Sequence, residues 1–251
     1  MENITTDEAH FWKVHKAESG WHYNPADTTP CFDTLCSFKG NWDEGISRAL
    51  SLSKENSVTV GEYKPSETSE SEEYDILRQS GKHTLSLLHV VELLYSNGTT
   101  TTKDDHPAFD IFFKMINALG MYDPHYVTIT TQRLGQISPF HIDRNTKYFT
   151  DPVMSKKYID AGCDKNPLRL RRIFVSLVPW NYGHMLQFGN QLWMGYNAGE
   201  CITFDWLHMP HGTANAGWSP RINLQATGFV DERFDWLLQN GSKDHVIDLT
   251  S

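Results

Sequence analysis

Residues 140–145 read FHIDRN, which places His141 and Asp143 two apart around Ile142. Seventy residues beyond His141, in WLHMPHGTANAGWSPRINLQATGF, His211 is followed by Gly212 and, ten residues later, by Arg221. In an extended strand, side chains two apart point to the same face, so His141 and Asp143 can converge on one ion. Taken alone, such a pair is equally an ordinary polar pair at a strand end; a third ligand changes the reading. With His211 the set becomes two imidazoles and one carboxylate, which leaves three adjacent positions open on an octahedral ferrous ion. The carboxylate offsets part of the metal charge, and neutral imidazoles suit a borderline metal. Three open positions admit a chelating cosubstrate at two and dioxygen at the third. Arg221 adds a second requirement. An arginine deep in a barrel is costly unless an anion meets it. Its guanidinium fork suits a carboxylate, such as that of a dicarboxylic cosubstrate like 2-oxoglutarate.

His208 competes with His211 as the distant ligand, and in a strand the two would face opposite sides. The following glycine and the ten-residue step to Arg221 favour His211. His125, His184 and the N-terminal histidines read as surface or satisfied core residues.

These residues need a scaffold, and the pattern changes along the chain. The first 60 residues, rich in aromatics and turn formers, read as irregular structure with short elements. WDEGISRALSLS predicts a short helix with Asp43 and Glu44 in its first turn. KPSETSESEEYD, residues 64–75, reads as an exposed acidic loop, with a lid over a site as the functional alternative. HTLSLLHVVELLYSNG and HPAFDIFFKMINALGM carry apolar residues at spacings of three and four and predict two helices, the second capped by Gly120. After residue 124 the period falls to two. HYVTITTQRLG, RRIFVSLVPW, HMLQFGNQLWMGY, ECITFDW and RINLQATGFV read as strands separated by Gly, Pro and Asn. Helices followed by short strands predict an α+β, mainly β chain: an antiparallel sandwich or barrel backed by N-terminal helices. A single domain over 1–251 is expected, with an extension at 1–123, a core at 124–231 and a tail at 232–251.

The formal net charge of −9 speaks against nucleic acid or an anionic membrane as partner. The dense basic cluster LRLRRIF, with Arg169, Arg171 and Arg172, reads as a solvated strand entrance. Cys31, Cys36, Cys163 and Cys201 form no C-x-x-C pair, no secretory signal precedes them, and no window has the length of a membrane span. A cytoplasmic protein with free thiols is expected. Trp180, Tyr182, Trp193, Tyr196 and Trp206 read as core or hairpin packing, with Trp193 the best candidate to line a substrate pocket.

His141-x-Asp143, His211-Gly212 and Arg221 together resemble the Fe(II)- and 2-oxoglutarate-dependent dioxygenases, over roughly residues 124–231. The resemblance implies a double-stranded β-helix, a jelly-roll or cupin-like barrel. It implies His141, Asp143 and His211 as iron ligands and Arg221 as the partner of the distal carboxylate of 2-oxoglutarate. Asn223 stands where many relatives have Ser or Thr, a pattern closer to the nucleic-acid demethylase branch, which the charge of −9 argues against. Strand positions upstream of the His-x-Asp often serve the cosubstrate in this family, which points to Thr130 and Gln132. Arg144 falls where a substrate loop would begin. The implied reaction is oxygenation of an unactivated C–H bond of a small molecule, amino-acid side chain or peptide, using Fe(2+), 2-oxoglutarate and O2 and releasing succinate and CO2. Asp143 argues against the halogenating variant, which lacks this carboxylate. Two other readings remain at this stage: a metal-dependent cupin-like dioxygenase or isomerase that needs no 2-oxoglutarate, which leaves Arg221 unexplained, and a non-enzymatic barrel module.

Overall fold

The period-two alternation after residue 124 is where the chain builds its barrel. The computed structural model describes residues 26–55, 58–62, 86–96, 101–103, 106–142 and 151–250. In chain order these form β1 (Asp33–Lys39), α1 (Asp43–Glu55), β2 (Val58–Glu62), β3 (Ser86–Ser96), β4 (Thr101–Lys103), α2 (Asp110–Ala118), β5 (Met121–Gln132) and β6 (Ile137–His141). Then follow α3 (Pro152–Asp160), β7 (Leu170–Ser176), β8 (His184–Phe188), β9 (Gln191–Trp193), β10 (Glu200–Phe204), β11 (His211–Asn215), β12 (Arg221–Val230), α4 (Glu232–Asn240) and β13 (Val246–Asp248).

Strands β5 to β12 divide between two sheets. The larger holds the order β10-β7-β12-β5, and the smaller holds β6-β11-β8-β9. First pairs with last and second with second-last: β5 lies antiparallel to β12, and β6 to β11. This is a double-stranded β-helix. Beyond it the larger sheet is extended by β1 and β13 on one side and by β3 and β2 on the other.

The larger sheet has two dry faces. Its outer face (Val127, Ile129, Ile173, Val175, Ile222, Leu224, Ala226) packs with Phe112, Met115 and Ile116 of α2 and Phe234 and Leu237 of α4. Its inner face meets the smaller sheet: Phe174, Ile202, Phe204 and Phe229 pack with Leu186, Phe188 and Trp193. Strands covered on both sides become nearly continuous buried runs, as β7, β10 and β12 do. Alternation then fixes what faces inward. Since Ile222, Leu224 and Ala226 point to the helices, Arg221, Asn223 and Gln225 point into the barrel. Their partners on β5 are Gln132, Thr130 and Thr128, and Ser176 of β7 lies opposite Asn223.

Helix α1 forms over WDEGISRALSLS with Asp43 and Glu44 in its first turn, α2 forms where the apolar spacing predicts it, and Gly120 follows α2 at a φ of 77°, the left-handed conformation a helix end favours. The helix expected over HTLSLLHVVELLYSNG is instead strand β3. It pairs with β5, and a bulge between Glu92 and Leu94 breaks its alternation. The bulge buries Leu93 and Leu94 together with Val90 while Glu92 stays exposed, so a strand acquires helix-like apolar spacing. A short apolar run satisfies both periods, and the open edge of β5 decides between them.

The N-terminal stretch read as irregular structure with short elements contains β1, which pairs antiparallel with β10 and parallel with β13. The C-terminal stretch supplies α4 and β13. The acidic segment at 64–75 lies outside the described residues. Arg171 and Arg172 are a further correction: both are buried, not solvated. Arg172 lies 4.6 Å from the Trp206 ring centroid, and its Nε donates to Thr227 Oγ1 at 2.8 Å, so the cation is held by an aromatic face and a hydroxyl. All four cysteines are buried free thiols, Cys36 facing Cys201 across β1 and β10. No helix among the described residues is long and apolar enough to cross a membrane.

Candidate active site

Pairing of β6 with β11 sets His141 directly opposite His211 although 70 residues separate them. Their ring centroids are 4.5 Å apart. His211 Nδ1 lies 3.2 Å from Met209 O, a bond that requires the proton on Nδ1 and so directs the lone pair to Nε2. The ring is buried against Phe204 at 4.9 Å and Phe188 at 6.1 Å between centroids. Gly212 explains itself here: a Cβ on it would sit 3.1 Å from Phe140 Cα, so glycine lets β11 approach β6 beside the imidazole pair.

Asp143 and Arg144 lie outside the described residues. Among the described residues no third His, Cys, Asp or Glu converges with the two histidines. His208 sits on the turn before β11, its Nδ1 2.9 Å from Asp205 and its side chain exposed, and it is not the histidine brought across from His141.

The second feature is Arg221, at the first position of β12 and 2% exposed. Its Nε and Nη2 donate to Gln132 Oε1 at 3.0 and 2.7 Å. With the Asn223 amide turned so that its oxygen faces the guanidinium, that oxygen accepts from Nη1 at 2.5 Å. These acceptors are neutral amides, and among the described residues no carboxylate pairs with Arg221. Burial pushes the guanidinium down to about 10, which leaves it charged at neutral pH. A buried cation whose partners among the described residues are neutral amides is a site that an anion would complete.

Gln132 ties this cation to the imidazoles. Its Nε2 donates to Thr213 Oγ1 at 2.7 Å, and Thr213 stands two residues after His211 on β11. Asn215 at the end of β11 donates to Gln132 O at 2.9 Å and Ser219 O at 2.8 Å, pinning the turn that delivers Arg221. The imidazole pair and the guanidinium therefore occupy one continuous ladder across the barrel interior.

Thr130 is buried beside the same row, its Oγ1 3.4 Å from Asn223 O. Trp193 is buried and packs on Tyr196 at 4.5 Å. It also borders a surface cleft of about 570 Å³ shared with Phe32, Met194 and Leu238, whose lining includes neither His141 nor His211. Sequence reasoning missed Thr213, which had no signal beyond its place near His211.

No family model matches the chain, and no curated protein matches it. Solved structures do. A prolyl-4-hydroxylase from Pseudomonas putida is 13% identical, with 81% of this chain and 94% of that one covered at a TM-score of 0.46. A viral collagen prolyl hydroxylase from Paramecium Bursaria Chlorella virus-1 is 11% identical over 81% and 97% of the two chains, TM-score 0.44. An oxidoreductase of the 2OG-Fe(II) oxygenase family from Burkholderia pseudomallei is 11% identical over 58% and 69%, TM-score 0.38.

Proposed function

We propose that the protein is an Fe(II)- and 2-oxoglutarate-dependent oxygenase that hydroxylates an unactivated C–H bond of a small molecule, amino-acid side chain or peptide. The observation that carries this reading is Arg221: a buried cation whose hydrogen-bond partners among the described residues are amides, laddered through Gln132 to the strand of His211. A cupin-type enzyme that uses no dicarboxylate leaves that cation without a purpose.

His141 and His211, with Asp143, would hold the iron, and the donor set fits a ferrous ion that keeps open positions. Bound there, iron with 2-oxoglutarate and O2 supplies oxidation of a C–H bond, coupled to decarboxylation of 2-oxoglutarate to succinate and CO2. The chain's own residues do the rest. Met209 O holds His211 in the tautomer that presents Nε2. Gln132 fixes the guanidinium plane from one side, so Arg221 can receive a distal carboxylate without reorganising. Phe188 and Phe204 exclude water from one face of the His211 ring.

The test is succinate production from 2-oxoglutarate by protein reconstituted anaerobically with Fe(II) and then given O2. Wild type is expected to turn over; His141→Ala and Asp143→Ala are expected to lose at least about a hundredfold. Equal turnover by either variant and wild type would sink the ligand assignment.

A further inference from the structure

His184 opens β8 and is 1% exposed. Leu186 and Phe188 of the same strand face the larger sheet, so by alternation His184 faces the barrel interior with them. Register sets it opposite Asn215, at the far end of β11 from His211. An imidazole buried this deeply is costly unless its ring nitrogens are paired, and both are. Nδ1 accepts from Asn181 N at 3.3 Å, and Nε2 donates to Ser219 O at 2.9 Å, with Ser219 Oγ at 3.2 Å. A backbone N–H only donates and a backbone carbonyl only accepts, so Nδ1 is bare and Nε2 carries the proton. An imidazolium would set its Nδ1–H against the Asn181 N–H.

The ring joins two turns at the end of the barrel where Arg221 enters. Asn181 belongs to the turn between β7 and β8, and Ser219 stands two residues before Arg221 in the turn between β11 and β12. The turns also meet directly, Ala216 N donating to Gly183 O at 2.8 Å. Asn215 Nδ2 donates to the same Ser219 O at 2.8 Å and to Gln132 O at 2.9 Å. Ser219 O is therefore held from two sides, by His184 and by Asn215. Resting on the oxygenase reading, we infer that His184 is a positioning residue for the cosubstrate: its Nε2–H bond to Ser219 O fixes the start of β12 and so aims the Arg221 guanidinium at the distal carboxylate of 2-oxoglutarate.

The state of the ring suits that task. Burial lowers the imidazole from its ordinary range, the Ser219 carbonyl offsets part of this, and the Arg221 charge lowers it further. A neutral N–H donor tethers the turn without setting a second cation beside the guanidinium. Packing alone would need no polar ring at this position, where Leu186 and Phe188 fill the next two inward places on the strand.

Calorimetric titration of the full chain, loaded with Mn(II) under anaerobic conditions, tests the assignment without turnover. Two ligands are compared: 2-oxoglutarate, and 2-oxopentanoate, which keeps the keto acid but has a methyl group in place of the distal carboxylate. His184→Gln puts an amide N–H near the place of Nε2 and can keep the Ser219 bond; His184→Asn reaches only the place of Nδ1 and loses it. His184→Asn is expected to weaken 2-oxoglutarate by about tenfold and to leave 2-oxopentanoate within about twofold of wild type. His184→Gln is expected to stay within about threefold of wild type for both ligands. Unchanged 2-oxoglutarate affinity in His184→Asn, an equal loss for both ligands, or no rescue by His184→Gln overturns the assignment and leaves His184 a packing residue. Wild type that binds the two ligands alike overturns the reading of Arg221, and this inference with it; wild-type preference for 2-oxoglutarate confines any failure to His184. Nitrogen NMR of the wild-type chain with labelled histidine needs no variant to fold: a bare Nδ1 on His184 at pH 7 is expected, and an Nδ1–H tautomer or an imidazolium overturns the tether.

Discussion

Replacing Gln132 with leucine removes the acceptor that two N–H groups of a buried cation share. Gln132 Oε1 receives Arg221 Nε at 3.0 Å and Nη2 at 2.7 Å, and its Nε2 satisfies Thr213 Oγ1 at 2.7 Å. Leucine has a similar volume and makes none of these bonds. A hydrogen bond to a charged group contributes about 1.5–3 kcal/mol, and an orphaned buried donor loses its full solvation. Two such bonds on one oxygen give an expected loss of about 3–5 kcal/mol. That is a large part of the roughly 5–15 kcal/mol that holds an ordinary domain. At about 2–4 °C per kcal/mol for a chain this long, the melting temperature should fall by about 6–20 °C. Urea unfolding with a fixed slope is the assay. The double variant Gln132→Leu/Arg221→Met removes both partners and should recover at least about 2 kcal/mol, because an apolar pair leaves no unpaired charge. A single-variant loss below about 1 kcal/mol, or no recovery in the double, would refute the reasoning: the guanidinium would then be solvated, and the barrel end wet.

Other consequences can be measured separately. Burial holds the His184 imidazole below its ordinary range, with the nearby Arg221 charge adding to the effect; its Nδ1 accepts from Asn181 N at 3.3 Å and its Nε2 donates to Ser219 O at 2.9 Å. The unfolded state therefore takes up a proton before the folded state as pH falls below about 6.5, so stability should decline there by up to about 1.4 kcal/mol per pH unit. His184→Gln should flatten that decline in urea midpoints taken between pH 7 and 5, and an unaltered slope would assign it to other groups. Gly212→Val should force β11 away from Phe140, where even a Cβ would sit at 3.1 Å, and loosen the His141–His211 pair. The expected outcome is Mn(II) affinity weakened by about tenfold or more with the fold retained by circular dichroism; wild-type affinity would show that the pair tolerates the displacement.

Much of the scaffold was legible because it rests on short-range rules. Alternation in HYVTITTQ and RINLQATGFV marks β5 and β12, and the apolar stripe of HPAFDIFFKMINALGM marks α2 with its glycine end. The spacing of His141, His211 and Arg221 identified which residues to look for. Other parts were not legible. HTLSLLHVVELLYSNG carries a bulge that imitates a helical period, and only the available edge of β5 makes it a strand. The arginines of LRLRRIF look solvated until Trp206 and Thr227 are seen to receive one of them.

By itself the sequence determined the periodicities, the turn positions and the inventory of side chains able to hold a metal and an anion. Tertiary structure decided which of them meet. That His141 faces His211 and that Gln132 lies opposite Arg221 across 89 residues follow from register between distant strands. Local sequence carries a period of two but no register. A slip of one residue would turn every inward side chain outward, and only the combined burial of both sheet faces selects the pairing that puts Arg221 inside.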